Sequence, residues 1–354
     1  MNHYHRASIA GDGVGKEVMP EGVKILNVLA DVTQSYKIDW KEFPWGSEYY
    51  LSNGIMMPAD GLKTLQEFDA IYFGAVGWPD VPDHITLWGL RLPICQGFQQ
   101  YANVRPAFLY PGIKAPLAGR DIGDIDFVVV RENTEGEYAG VGGRAHEGTN
   151  QEVAMETSVF TRKGVERVIR YAFELAKKRR RKVSSVTKSN AQRYGFVLWD
   201  EVFQAVSTEY PQVETERVLV DAMAARFVLH PESLDVVVAS NLHGDILTDL
   251  GGAIIGSLGM APSGNINPER DYPSMFEPVH GSAPDIYGKE IANPIGMFLS
   301  GAMMLDFLGE NEAGGMIYKA VRETTSQGIL PPDVGGKANT GEVTRSVINN
   351  IKAL

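Results

Sequence analysis

Cysteine is nearly absent. Cys95 is the single one in 354 residues, so no intramolecular disulfide can staple the chain, which fits a reducing, cytoplasmic setting. No run of about 18 apolar residues exists to span a bilayer. The opening MNHYHRASIAGDG also lacks the apolar centre of a signal peptide. Positive charge is in deficit: 33 Lys and Arg against 44 Asp and Glu leave a formal net charge of −11, the wrong sign for a nucleic-acid partner. The one basic run, Lys177 to Lys182 (KKRRRK), falls where a helix should end and reads as cations complementing its dipole. No Walker phosphate loop occurs, and the seven histidines show neither HExxH nor paired zinc spacing. What is present is a 44% apolar composition, enough for a large core, and 38 aperiodic glycines that signal many tight turns. These features describe a soluble globular enzyme of two domains at roughly 150 residues each.

Short β-branched runs alternate with longer amphipathic stretches, the pattern of an α/β protein with substantially parallel strands. Strands are predicted at 6–10, 69–75, 125–130, 182–187, 213–220 and 234–239. A helix is expected through Val18, Val23, Ile25, Leu26 and Leu29, with others at 161–179, 195–208, 243–256, 294–308 and 311–327. Between 136 and 160 a glycine-rich loop leads into the alternating EVAMETSVF, which predicts an antiparallel excursion from the main sheet. There is no linker and no internal repeat; domain boundaries are expected near 105 and 255. Gly11-Asp12-Gly13-Val14-Gly15 follows the first strand, but its spacing is GxGxG rather than GxGxxG. The acidic residue of a dinucleotide fingerprint also has no counterpart about 20 residues on.

Chemistry concentrates in a few places. Asp245 and Asp249 are four apart on a predicted helix rich in apolar residues, so two carboxylates share one face. Like charges there are costly unless a cation lies between them, and oxygen-only ligands favour Mg²⁺ or Mn²⁺. Asp221 opens a helix directly after the strand VLV and offers a third carboxylate. Arg105 and Arg131 lie at or just beyond strands; a pair of bidentate guanidinium groups suits a dicarboxylic substrate, although each alone could serve a structural salt bridge. Tyr138 stands in the glycine-rich loop, where a phenol could approach a ligand. Lys188 follows the strand KVSSVT and could act as a base beside a divalent cation. The loop FEPVHGSAPDIYGKEIANP (276–294) is unusually long for a compact domain. Within it His280, Gly281, Ser282 and Ala283 supply a stackable ring and close-approach backbone, and Asp285 could accept from ribose hydroxyls while repelling a 2′-phosphate.

Taken together, GDGVGKE (11–17), ANVRP (102–106), VVVREN with Tyr138, VTKSNAQ (186–192), VDAM (220–223), NLHGDILTD (241–249), EPVHGSAPDI (277–286) and IANP (291–294) resemble the β-decarboxylating dehydrogenase family, which includes isocitrate and 3-isopropylmalate dehydrogenases. FPWGSEYY (43–50), GIMMP (54–58), residues 73–98 and ILPPDVGGKANT (329–340) look like the branch acting on tartrate and D-malate. The resemblance implies a two-domain, non-Rossmann fold, mostly parallel, with an antiparallel clasp arm at about 136–160. A discontinuous cofactor domain (1–104 plus 256–354) would flank a substrate and dimerisation domain (105–255). It further implies a homodimer with shared sites, in which Lys188 and Asp221 of one subunit complete the site holding Tyr138, Asp245 and Asp249 of the other.

Carried over by motif, Lys188 would take the hydroxyl proton and Tyr138 would protonate the enol carbon after CO₂ leaves. Asn190, Glu277, His280, Gly281, Ser282, Ala283, Asp285, Ile286 and Asn293 would bind the cofactor. Asp285 with Ile286 matches the NAD pattern, and K⁺ is a plausible activator. Many relatives carry a further substrate arginine where this chain has Cys95; Arg91 is the nearest replacement, joining Arg105 and Arg131. The function expected is NAD-dependent, metal-assisted oxidation of (2R)-malate-type hydroxy diacids, with decarboxylation for some substrates. A 3-isopropylmalate dehydrogenase and a non-catalytic regulatory subunit of the same family stay open as alternatives.

Overall fold

A computed structural model describes all 354 residues. Ten strands form one sheet in the order β2-β1-β3-β12-β11-β4-β5-β10-β8-β9. They are β1 (Asn2–Gly11), β2 (Tyr36–Glu42), β3 (Ala70–Ala75), β4 (Ala102–Phe108), β5 (Asp126–Glu132), β8 (Lys182–Thr187), β9 (Glu214–Leu219), β10 (Val236–Ala239), β11 (Pro262–Ile266) and β12 (Ser274–Pro278). Both flanks are parallel, whereas the pairings β12-β11, β11-β4 and β4-β5 at the centre are antiparallel. The mostly parallel expectation holds, with the central reversal as an addition. Neither this order nor its mixed centre is that of a Rossmann sheet. The chain starts on one flank, crosses through β4 and β5, builds the other flank, and returns through β11 and β12.

Twelve helices accompany the strands. They are α1 (Gly15–Thr33), α2 (Ser47–Asn53), α3 (Gly61–Leu65), α4 (Asp83–Thr86), α5 (Leu92–Gly97), α6 (Arg162–Lys177), α7 (Gly195–Ser207), α8 (Val220–Leu229), α9 (Asn241–Ile254), α10 (Ile295–Leu308), α11 (Asn311–Ser326) and α12 (Thr340–Ala353). A π-helical turn, Leu87–Arg91, joins α4 to α5. α10 is apolar nearly all round and accordingly buried. α6 shows one apolar stripe (Val165, Val168, Ile169, Ala172, Phe173, Ala176) and one wet face. One continuous core of 65 buried residues runs beneath both flanks. A second core of 13, including Ile9, Phe73, Ile94 and Cys95, fills the opposite face near β1 and β3. The basic run ends α6 as expected: Arg179 pairs with Asp126 at 2.7 Å and Asp235 at 2.8 Å, and Arg180 reaches Asp126.

The excursion at 136–160 is a separate two-stranded antiparallel sheet of β6 (Gly136–Ala145) and β7 (Val153–Val159). Nearly all of its residues beyond the first few are exposed. Gly136 sits at φ +65° and a Cβ there would press on Asn241, so the turn into the arm requires glycine. No helix is long and apolar enough to cross a membrane.

Candidate active site

The centre of the candidate site is the start of α9, held against the end of β5 by Arg131. Its guanidinium donates Nε to the Asn241 carbonyl (2.8 Å), Nη1 to Asp245 Oδ1 (2.6 Å), and Nη2 to Asn241 Oδ1 (3.0 Å) and to the Tyr138 hydroxyl (3.1 Å). Four of its five N–H groups are therefore committed to protein. Arg105 on β4 approaches the same carboxylate. Its Nη1 meets Asp245 Oδ1 at 3.2 Å and Thr248 Oγ1 at 2.7 Å, its Nε meets Asn103 Oδ1 at 2.6 Å, and its Nη2 has no protein partner. Burial opposes the charge on Asp245, but Arg131 and then Arg105 outweigh it and hold the carboxyl below its ordinary range. One turn along, Asp249 has no basic partner. Burial and the neighbouring Asp245 charge raise its pKa. Burial beside Arg131 also lowers the Arg105 guanidinium to about 10, still protonated at neutral pH.

Lys188, at the end of β8, donates to Asp221 at the start of α8. That bond lowers the Asp221 pKa. Lys188–Asp221 and Asp245–Arg131–Tyr138 are two separate groups within one chain. Asp221, Asp245 and Asp249 do not bring their oxygens together there; the one trio of potential ligands that converges is His3, His5 and Asp39. The faces carrying these groups are apolar and open to solvent. Val228 and Leu229 on α8, Leu242 and Ile246 on α9, and Val141, Val153 and Met155 on the arm are all exposed.

The sequence reading missed a buried polar chain behind the site. Asn103 and Asn133 donate to Asn265 Oδ1 (2.8 and 2.9 Å), Asn265 donates to Glu277 (2.8 Å), and Arg91 completes the chain. Arg91 and Glu277, expected to serve different ligands, grip each other: Nε and Nη2 of Arg91 reach Glu277 Oε1 at 2.8 and 2.7 Å, and Nη2 also meets Asn265 at 3.2 Å. Arg91 Nη1 and Glu277 Oε2 remain without protein partners. Cys95 lies fully buried alongside, its thiol pushed up to about 11 by burial, so it stands there as a neutral group. Glu132 was missed too; it is buried and accepts from Thr134 N, Thr134 Oγ1 and Glu135 N, shaping the turn into the arm. Gln96 on α5 donates to the Tyr138 carbonyl at 2.6 Å.

The 276–294 loop docks on the glycine turn after β1. Val14 N donates to Ser282 O at 2.8 Å, and Gly13 (φ +50°) lies so close to Ser282 that a side chain at 13 would strike its carbonyl. Asp12, buried and also missed, accepts from Ser47 N and Oγ (2.7 Å each) and Gly77 N (3.0 Å), tying three loops to this corner. His280 donates Nδ1–H to the Gly281 carbonyl (2.9 Å). Its Nε2 is buried without a partner, and burial lowers its pKa. Gly281 and Asp285 are exposed, Ala283 and Ile286 half-buried. Asn293 is buried and bonds to Asp333 (3.0 Å) and to the Ile295 amide (3.0 Å) at the start of α10. Asn190 is exposed just beyond Lys188.

A family model described as isocitrate/isopropylmalate dehydrogenase matches residues 6–351. The chain belongs to that family. It is 58% identical to a probable tartrate dehydrogenase/decarboxylase of Agrobacterium vitis, over 99% of this chain and 98% of that one. It is 53% identical to the decarboxylating D-malate dehydrogenase of Escherichia coli K12, over 96% of each. Among solved structures, an isocitrate dehydrogenase from Methylococcus capsulatus superposes with a TM-score of 0.89 at 33% identity, covering 99% of both chains. The family resemblance read from the motifs therefore holds, and so does the fold class. The chain is an oxidoreductase of the decarboxylating dehydrogenase type, and the regulatory-subunit alternative is set aside.

Proposed function

We propose that this dehydrogenase oxidises (2R)-malate-type hydroxy diacids, D-malate and tartrates among them, using NAD and a Mn²⁺ or Mg²⁺ ion, and decarboxylates the β-keto acid formed from some of them. The names of the relatives favour these substrates. The observation that carries the reading is the one-sided neutralisation of the carboxylate pair. Asp245 Oδ1 is held by two arginines, while its Oδ2 and both oxygens of Asp249 have no protein partner. A hard divalent ion fits that all-oxygen set, and it would relieve the repulsion that raises the Asp249 pKa. When bound, such an ion supplies electrostatic stabilisation to the substrate oxygens as their charge grows.

The protein groups divide the remaining work. Arg105, through its free Nη2, and Arg91, through Nη1, take the substrate carboxylates; Arg131 orients Asp245 and Tyr138. Lys188 would accept the hydroxyl proton, directly or through water, and NAD, when bound, would supply the hydride acceptor. After CO₂ departs, Tyr138 delivers a proton to carbon. The polar partners of Arg105, Asn103 and Thr248, and the amides Asn265 and Asn133 linked behind Asn103, suit a polar diacid better than a branched alkyl group. His280, Gly281, Ser282, Ala283, Ile286, Asn190, Asn293 and Glu277 would form or support the NAD site, with Asp285 as an acceptor for ribose hydroxyls and K⁺ as an activator. Each site combines Asp245, Asp249 and Tyr138 of one protomer with Lys188 and Asp221 of its partner. The exposed apolar residues of α8, α9 and the arm support this pairing, because an isolated two-stranded ribbon is marginally stable in water. The segments 1–104 plus 256–354 and 105–255 act as the two domains around the cleft.

The test is NADH formation with D-malate, L-tartrate, meso-tartrate and 3-isopropylmalate, each with and without Mn²⁺. Turnover of the first three, abolished by a chelator, is expected. Exclusive turnover of 3-isopropylmalate would refute the substrate class, and activity in chelator would refute the ion.

A further inference from the structure

We propose that His3, His5 and Asp39 form a second, surface metal site, selective for borderline divalent ions such as Zn²⁺, Ni²⁺ or Cu²⁺ and separate from the carboxylate site. The pairing of β1 with β2 is parallel, in a register that sets His3 opposite Lys37 and His5 opposite Asp39. Because side chains alternate along a strand, His3 and His5 share one face of β1, and Lys37 and Asp39 share the matching face of β2. The other face turns inward. Tyr36 is fully buried, and Trp40 reaches across to Asn27 on α1, with Nε1 to Oδ1 at 2.9 Å. On the histidine side, the second core covers Ala7 and Ile9 but stops short of residues 3 and 5, which stay exposed.

The spacing suits a metal. His3 Nε2 lies 2.7 Å and His5 Nδ1 4.0 Å from the same oxygen, Asp39 Oδ2, and the two rings are 5.1 Å apart between centroids. All three ligand atoms fall within 4.8 Å of one another. Bonds of about 2.0–2.2 Å to imidazole nitrogen and carboxylate oxygen in a tetrahedral site need ligand atoms roughly 3.4 Å apart. Relative to that spacing the 4.0 Å leg must close and the 2.7 Å leg must open, each by roughly 0.6–0.7 Å, an adjustment that three exposed side chains can make by small rotations. The backbone beneath is fixed: the His5 amide donates to Asp69 Oδ2 at 2.8 Å, and that carboxylate is held by the buried Arg6 at 2.9 Å. Lys37 competes only at the far oxygen of Asp39, at 3.9 Å, and is itself largely exposed, so it can swing into solvent.

Two imidazoles and one carboxylate form a borderline donor set, with the remaining coordination positions left to water. Asp221, Asp245 and Asp249 instead offer only hard oxygens. The two sites should thus sort ions by softness. An ion on the histidine site would also bind the edge strand β2 to β1.

The test uses the full chain, stripped of metal and supplied with excess Mg²⁺ to fill the carboxylate site. One equivalent of Cu²⁺ should give an electron paramagnetic resonance spectrum split by imidazole nitrogens. Competition with a chromogenic chelator should show that His5→Gln and Asp39→Asn each weaken Zn²⁺ binding at least roughly tenfold, while Mg²⁺-supported turnover is unchanged. A copper spectrum without nitrogen coupling would overturn the proposal. So would variants at 5 and 39 that bind Zn²⁺ as tightly as the unaltered protein.

Discussion

If each active site draws on two protomers, two dead enzymes should repair each other. Lys188 bonds to Asp221 in one neighbourhood, and Asp245 bonds to Arg131 and Arg105 in another. Take Lys188→Ala as one parent and Asp245→Asn as the other, each expected to lose at least about a hundredfold in turnover as a homodimer. In the heterodimer, one site receives both defects. The other receives Lys188 from the second chain and Asp245 from the first, and is intact. A purified heterodimer should therefore show about half the wild-type kcat, with the wild-type KM. Random reassociation of an equal mixture makes about half of the dimers mixed, which brings the expected activity to about a quarter. Co-expression with two different affinity tags, sequential purification and steady-state NADH measurement give the answer. If the two groups instead met within one chain, each chain of the heterodimer would carry one defect and both sites would be dead. A mixed dimer no more active than its parents would thus refute the shared site.

Asp245→Asn on its own should abolish turnover yet leave the proposed dimer unchanged by size-exclusion chromatography, because α9 keeps its Arg131–Asn241 bonds. Asp285→Ala should raise the KM for NAD by roughly tenfold, the value of one charged hydrogen bond to ribose, with kcat little changed; an unaltered KM would remove Asp285 from the cofactor site. Asp306, on α10, is pushed up to about 6 by burial, and it accepts from the Tyr318 hydroxyl at 3.2 Å. A carboxyl with a raised native pKa favours the fold in its protonated form, so its contribution is complete below about pH 4 and is lost as the pH rises through about 6. Asp306→Asn should accordingly stabilise the protein by about 1 kcal/mol at neutral pH, after discounting for solvent screening, and by almost nothing below about pH 4. Thermal melts at the two pH values check the sign.

The strands and helices that read clearly in the sequence are those with one decisive period. Residues 127–130 (FVVV) are continuously apolar because both faces of β5 are covered, and α6 carries a single clean stripe. β2 was illegible for the opposite reason: its residues are half-exposed at the sheet edge, so YKIDWKE carries little hydrophobic pattern. β11 and β12 hide among prolines and glycines, and each is only five residues long. The predicted strand 213–220 ends one residue early because Val220 opens α8 and carries Asp221 into its first turn. At the site, the charged residues could be named from their motifs, but their mutual bonds could not. Nothing in the spacing of Arg91 and Glu277, 186 residues apart, announces that they meet. The buried amides Asn103, Asn133 and Asn265 carry no spacing signal of their own, and only the sheet brings them together. The His3/His5 pair escaped a search for helical zinc spacing because its period is that of a strand.

The chain of amides and guanidinium groups from Arg105 through Asn103 and Asn265 to Glu277 and Arg91 has a consequence for selectivity. On the proposed assignment of Arg105 and Arg91 to the acid and of Glu277 to the coenzyme, it would join the two ligand sites directly. Loosening any link, Asn265 above all, would release hydrogen bonds toward both ends at once, so that affinity for either ligand would be a property of the whole relay. A variant with a new preference for its acid would then inherit an altered grip on its coenzyme, and retuning this enzyme means retuning two appetites together.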